Sequence, residues 1–228
     1  MKVVVIQFPG SNCDYDTVYT LKQMDDVTVD LLWHKGSNLQ NYDLIILPGG
    51  FSYGDFLRAG SIASHSPIMK YVKQAAESDI AILGICNGFQ ILTETGLLPG
   101  VLLRNKKLRF ISKNVFLKVV NVNSRFCLNY NKKNIITLPI AHNEGNYFAN
   151  NELLKKLEDK NLIAFKYCNE KGDINETSNP NGSSNNIAGI LSSAKNILGM
   201  MPHPERLIDP LLSGEDGSIM FESLLKSN

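Results

Sequence analysis

Residues 80–96 read IAILGICNGFQILTETG. Ile80 to Ile85 form an apolar run that predicts a buried strand, and Asn87 to about Thr95 predicts a helix stopped by Gly96. Between them lies Gly84-Ile85-Cys86-Asn87-Gly88, a turn whose flanking residues must be small. Strand, tight turn and helix are the layout of a nucleophile elbow with cysteine in place of serine. The helix N-terminus would hold the thiol among free N–H groups and at the positive end of a dipole, which favours a thiolate. The segment alone fits a second reading equally well, because unpaired cysteine is among the most buried residue types and a strand end is an ordinary place for it.

The pattern repeats outward from this stretch. Val3 to Phe8, Val27 to Trp33 and Tyr42 to Leu47 read as strands, the last stopped by Pro48-Gly49-Gly50. Asp14 to Met24 reads as a helix with Val18, Leu21 and Met24 inward, and Pro67 to Ser78 as another with Ile68, Met69, Val72, Ala75 and Ala76 inward. Alternating strands and helices predict an α/β fold with a doubly wound, mostly parallel sheet flanked by helices. Ligands collect beyond the carboxyl ends of such strands, where PGSNCD, PGGFSYGD and CNGFQ sit. From Val101 to about Leu138 long helices are missing, and NVFLKVVNV and NIITLPI predict an antiparallel extension. Further on come a helix at Asn151 to Asp159, strands in LIAFKYC, NIAGILSS and ILGMM, and a last helix at Ser218 to Lys226. No linker or internal repeat divides the chain, so one domain over 1–228 is expected.

Composition narrows the function. The 228 residues are 43% hydrophobic and carry a net charge of +1, so no basic face recommends a nucleic acid or an anionic membrane as partner. The N-terminal apolar run ends at Pro9-Gly10, too soon for a membrane span. Cys13, Cys86, Cys127 and Cys168 form no C-x-x-C pair and have no histidine at zinc-ligand spacing, so no metal is expected, and a reducing cytoplasm is the expected location.

Two more segments carry chemistry. In MMPHPER (200–206) His203 stands between two prolines that restrict its backbone. Glu205, two residues on, would share its side in an extended stretch and could fix the imidazole tautomer. Taken alone, His203 also fits a solvated turn. The paired glycines of LPGGFSYGDFLRAG (47–60) let backbone N–H groups approach a ligand, and Ser52, Asp55 and Arg58 make this more than a turn. Cys13 is a rival nucleophile without a following glycine at elbow spacing. Cys127 and Cys168 are expected in core strands, Trp33 as a packed aromatic, and His34 and His65 as packing or surface residues.

GICNGFQ, LPGGFSYGDFLRAG and PHPER together resemble the class I, triad-type glutamine amidotransferases. FPGSNCDYDT (8–17), AHNEGNY (141–147), NPNGSSNNIAGI (179–190) and GMMPHPER (199–206) resemble, more narrowly, the small glutaminase subunits of phosphoribosylformylglycinamidine synthase. The resemblance implies a flavodoxin-like fold and a glutaminase that yields glutamate and ammonia. It implies Cys86 as nucleophile, His203 as base and Glu205 as the residue orienting it. It also implies Gly50 and Asn87 as main-chain oxyanion donors, Gln90 as a glutamine contact, and His142, Glu144 and Gly145 beside the glutamine pocket. Asn143 stands where the family has glycine. The implied partners are a large synthetase subunit, which would hold ATP and magnesium, and a small third subunit; no cofactor is implied on this chain. The isolated chain is expected to be poorly active. Alternatives are the amidotransferase subunit of a different synthetase, a stand-alone cysteine hydrolase, and a non-catalytic scaffold subunit. Stand-alone hydrolases commonly take their histidine from beside the nucleophile, where this chain has Asn87.

Overall fold

A computed structural model describes residues 1–212 and 214–226; residues 213, 227 and 228 of the expected domain lie outside them. In chain order the elements are β1 (Lys2–Gln7), α1 (Asp14–Lys22), β2 (Thr28–Trp33), β3 (Leu44–Leu47), α2 (Ile68–Glu77), β4 (Ala81–Ile85) and α3 (Asn87–Glu94). There follow β5 (Val101–Leu103), β6 (Ile111–Val119), β7 (Ile135–His142), β8 (Asn146–Phe148), α4 (Asn151–Asp159), β9 (Ile163–Cys168), β10 (Ile187–Leu191), β11 (Ile197–Met200) and α5 (Ser218–Lys226).

Nine strands make one sheet in the order β2-β1-β3-β4-β11-β10-β9-β6-β7. The first five are parallel, and the remaining four extend the sheet antiparallel. This is the expected α/β architecture, with helices flanking a mixed sheet. The strands β5 and β8 instead pair with each other in a separate two-stranded sheet. Each is only three residues long, too short to show a period in the sequence.

The central strands are apolar throughout because both faces are covered. Val3, Val4, Val5 and Ile6 expose nothing, each such burial stabilising by about 1.5–3 kcal/mol. Two glycines let α3 lie directly on this layer. A Cβ on Gly84 would meet Leu92 Cδ1 at 2.4 Å, and one on Gly88 would meet Leu47 O at 1.9 Å. In α2 the expected face is inside: Ile68, Met69, Val72 and Ala75 are buried.

The first helix departs from expectation. Its buried residues are Asp14, Thr17, Thr20 and Leu21, while Val18 and Met24 are only partly buried. The hydroxyls are buried at low cost because each is bonded: Thr17 Oγ1 donates to Cys13 O (2.8 Å) and Thr20 Oγ1 to Glu205 O (2.9 Å). Trp33 also corrects the reading. It ends the edge strand β2 and is 44% exposed, with its ring edge-on to the buried His34. Cys168 does lie in β9, but Cys127 lies in a buried turn, and burial pushes its thiol up to about 12. Among the described residues no helix is long and apolar enough to cross a membrane.

Candidate active site

The carboxyl ends of β1, β3, β4 and β11 meet at one place. There Cys86 joins β4 to α3 with φ +49° and ψ −102°, a backbone conformation strained for any residue with a side chain. The turn is pinned by Cys86 N–H donating to Met200 O at 2.7 Å and by Gln90 N–H donating to Cys86 O at 3.2 Å. The thiol is 4% exposed and lies 3.7 Å from Ala141 O. The elbow geometry is therefore that of a strained, positioned thiol rather than a relaxed core cysteine.

Opposite it, His203 follows β11, and its N–H donates to Pro139 O of β7 at 2.8 Å. Its Nδ1 bonds Glu205 Oε1 at 2.6 Å, and both residues are buried. Burial opposes a charge on the ring, but the Glu205 carboxylate and then Cys86 outweigh it and hold the His203 pKa well above 6.5. Its Nε2 makes no well-formed hydrogen bond, and the Cys13 and Cys86 thiols beside the ring also favour its protonated form. Thr20 holds the backbone of Glu205 from α1.

A second thiol shares this histidine. Cys13 precedes α1 with an unstrained backbone (φ −103°), and its Sγ lies 3.1 Å from Arg206 Nη2. Cys13, His203 and Glu205 bring one ligand atom each within 4.8 Å of one another, the one such group among the described residues. A soft cation would find donors there, but Arg206 already supplies positive charge at Cys13 and Glu205 is already bonded to the ring. The sequence reading had no means of placing Cys13 beside His203.

The remaining expected residues surround the elbow. Gly50 adopts φ +132°, and a Cβ there would meet Asn12 N at 2.6 Å. The Asn87 side chain accepts from Ser52 N–H (3.1 Å) and donates to Gln90 Oε1 (2.9 Å). Gln90 in turn donates to Glu144 O at 2.6 Å. Glu144 Oε2 accepts from Ala59 N–H at 3.2 Å. Beside it Asp55 is pushed up to about 6, by burial first and then by the Glu144 charge. Tyr53, Asp55 and Leu57 all have positive φ, so this rim segment is held in an uncommon shape. Asn143 is not among the positive-φ residues, which is why asparagine fits where a glycine was expected.

A family model described as CobB/CobQ-like glutamine amidotransferase domain matches residues 1–215. The chain belongs to this family. Among curated amidotransferase relatives, phosphoribosylformylglycinamidine synthase subunit PurQ of Pelagibacter ubique (strain HTCC1062) is 56% identical over 223 residues, covering 98% of this chain and 97% of that protein. The subunit of the same name from Chlorobium chlorochromatii (strain CaD3) is 51% identical over 225 residues, covering 99% and 96%. A chain in the structure of PurLQS from Thermotoga maritima superposes with a TM-score of 0.87 at 39% identity, covering 99% of this chain and 98% of that one.

Three residues of this amidotransferase site escaped the sequence reading. Gly49 packs on the His203 ring: a Cβ there would lie 2.6 Å from His203 Cε1. Asn105, fully buried after β5, bonds the His142 ring and Gly145 N–H. Arg206 ties Cys13 to Asp16. In the sequence Gly49 reads only as half of a glycine turn, and nothing in RNKKLRF marks Asn105 as an inward residue.

Proposed function

We propose that this chain is the glutaminase subunit of phosphoribosylformylglycinamidine synthase, a single amidotransferase domain over 1–228. The observation that carries this reading is the 56% identity to a PurQ subunit across 98% of the chain. The strained elbow at Cys86 beside a buried His203–Glu205 pair supports the chemistry.

Cys86 thiolate attacks the side-chain amide carbon of glutamine, forming a C–S bond. Backbone N–H groups of Gly50 and Asn87 receive the oxyanion, each such donor typically lowering the barrier by about 3–4 kcal/mol. The amide C–N bond then breaks, and His203 gives the departing nitrogen a proton so that ammonia leaves. Water, deprotonated by His203, opens the glutamyl thioester to release glutamate and return the thiol. Glu205 keeps the ring oriented and offsets its charge. Gln90, His142, Glu144 and Gly145 shape the glutamine pocket.

The ammonia passes to a large synthetase subunit, which holds ATP and magnesium and aminates formylglycinamide ribonucleotide; a small third subunit completes the enzyme. This chain needs no cofactor of its own. Two features support a partner-dependent site. Cys86 and His203 are almost wholly covered, so glutamine enters by movement of the rim. That rim carries exposed Phe51, Phe56, Leu57, Leu108 and Phe110, the apolar surface a partner would cover. Four unpaired cysteines support a cytoplasmic location.

Incubation with a diazo-ketone analogue of glutamine, followed by peptide mass spectrometry, tests the reading. Labelling at Cys86, blocked by excess glutamine and lost in Cys86→Ala, is expected. Labelling at Cys13 would overturn the assignment of the nucleophile. No labelling, with or without the synthetase and ATP, would favour a scaffold subunit.

A further inference from the structure

His142 ends β7, one residue after the carbonyl that faces the Cys86 thiol. It is 2% exposed, and its two ring nitrogens stand in different environments. Nδ1 lies 3.1 Å from Asn105 Oδ1. The orientation of that amide is fixed independently, because Asn105 Nδ2 donates to two carbonyls, Arg109 O at 2.8 Å and His142 O at 2.9 Å. The other end, Oδ1, also accepts from Gly145 N–H at 3.1 Å. An oxygen at that position can only accept, so His142 Nδ1 carries the proton. The ring is neutral, since burial and then the nearby His203 charge hold its pKa down at about 4. Nε2 is therefore a bare lone pair, buried and without a partner among the described residues. The ring is packed on one side and bonded on another. Gly145 packs so closely that a Cβ on it would lie 2.2–2.5 Å from three ring atoms, and Gly145 O is itself held by Asn181 and Ser183.

Most buried polar atoms are hydrogen-bonded, and an exception calls for a ligand or a cost. What a bare, fixed acceptor rewards is a donor. Glutamine and glutamate differ at the reacting end in this respect: the carboxamide NH2 donates, while the carboxylate only accepts. We propose that His142 Nε2 is the acceptor for the carboxamide N–H of glutamine, so that it selects the substrate over its own product and then holds the released ammonia by the same bond. This rests on the glutaminase reading, which places His142 by the glutamine pocket, and adds the ring atom and the bond through which it would discriminate at the reacting group. A bare Nε2 also has no proton to give, so ammonia held there is not converted to the non-nucleophilic ammonium ion.

The test compares His142→Met with His142→Gln in the complete synthase. The two side chains are similar in shape, and only glutamine keeps a strong acceptor near the Nε2 position. The diazo-ketone analogue has no carboxamide NH2, so its labelling of Cys86 reports an intact nucleophile without this bond. The expected result is that Cys86 is still labelled in both variants, and to the same extent in the two. In His142→Met, kcat/KM for glutamine falls about tenfold or more, and the ratio of the glutamate inhibition constant to the glutamine KM falls in step; His142→Gln recovers most of both. Wild-type glutamine kinetics in a normally labelled His142→Met would overturn the inference and leave the glutaminase reading standing. Failure of wild type to be labelled or to hydrolyse glutamine would overturn the glutaminase reading itself. Should the methionine variant not fold, the 15N resonances of His142 in the Cys86→Ala enzyme decide: Nε2 should be unprotonated and should shift with glutamine but not with glutamate, and a protonated Nε2 would refute the proposal.

Discussion

Replacing Gly49 with alanine probes how finely His203, the proposed base, is placed. Gly49 does not adopt a left-handed backbone, so alanine brings one new methyl group and no backbone strain. That methyl would lie 2.6 Å from His203 Cε1, 3.3 Å from its Nδ1 and 3.1 Å from Cys13 Sγ, where ordinary contact begins at 3.4 Å. The shortfall at Cε1 is about 0.8 Å, well inside the repulsive wall. The ring cannot yield freely: its Nδ1 is bonded to Glu205 at 2.6 Å and its backbone to Pro139. A displacement near 1 Å at a reacting group costs about 10²-fold in rate, while overpacking costs about 1–3 kcal/mol of stability. Glutamine hydrolysis by the complete enzyme, measured beside the thermal midpoint, should show kcat down by about two orders of magnitude. The midpoint should fall by only about 2–4 °C for each kcal/mol lost. If Gly49→Ala folds and its kcat stays within about twofold of wild type, a tolerance far below the loss expected for a shifted base, the account of His203 placement is wrong.

Three further outcomes follow from the charges. The folded-state pKa of His142 lies below its ordinary 6.5, at about 4. Between those values the unfolded chain binds a proton that the folded one does not, so stability falls as pH drops through this window, by about 3 kcal/mol in all; denaturant titrations should show His142→Gln with a flatter acid limb. His203 has the opposite sign: its contribution is complete below pH 6.5 and is lost as pH rises through its higher folded-state value. Glu205→Gln removes the main cause of that elevation and should move the loss to lower pH, together with a drop in kcat. Asp55, raised from 3.8 to about 6, binds its proton more readily when folded, so its ionised form is unfavourable at neutral pH; Asp55→Asn should raise the thermal midpoint at pH 8 and gain less at pH 5, and equal gains at both would refute the assignment.

The residues that could be read from the chain were those whose local sequence dictates their geometry. Gly84, Cys86 and Gly88 announce the elbow because only small neighbours let α3 touch the sheet. His203 and Glu205 are two residues apart, so their pairing is a local matter. What stayed hidden depended on distant strands. Cys13 meets His203 only because β1 and β11, with two strands between them in the sheet, both end at its carboxyl end, and Asn105 meets His142 only across two loops. The inward face of α1 was misread for a related reason: threonines look polar until their acceptors, Cys13 O and Glu205 O, are known.

The sheet order also sets a schedule. The β4 strand has β3 on one side and β11 on the other, yet β11 (Ile197–Met200) and His203 lie more than a hundred positions after Cys86. At about 5–20 residues per second of synthesis, the growing chain spends many seconds with Cys86 made and His203 not yet translated. During that interval β4 is an open apolar edge, the kind of surface that recruits other strands or a chaperone. Under the proposed mechanism a nascent chain that lacks His203 does not consume glutamine, and its open β4 edge is vulnerable to aggregation until β11 pairs with it.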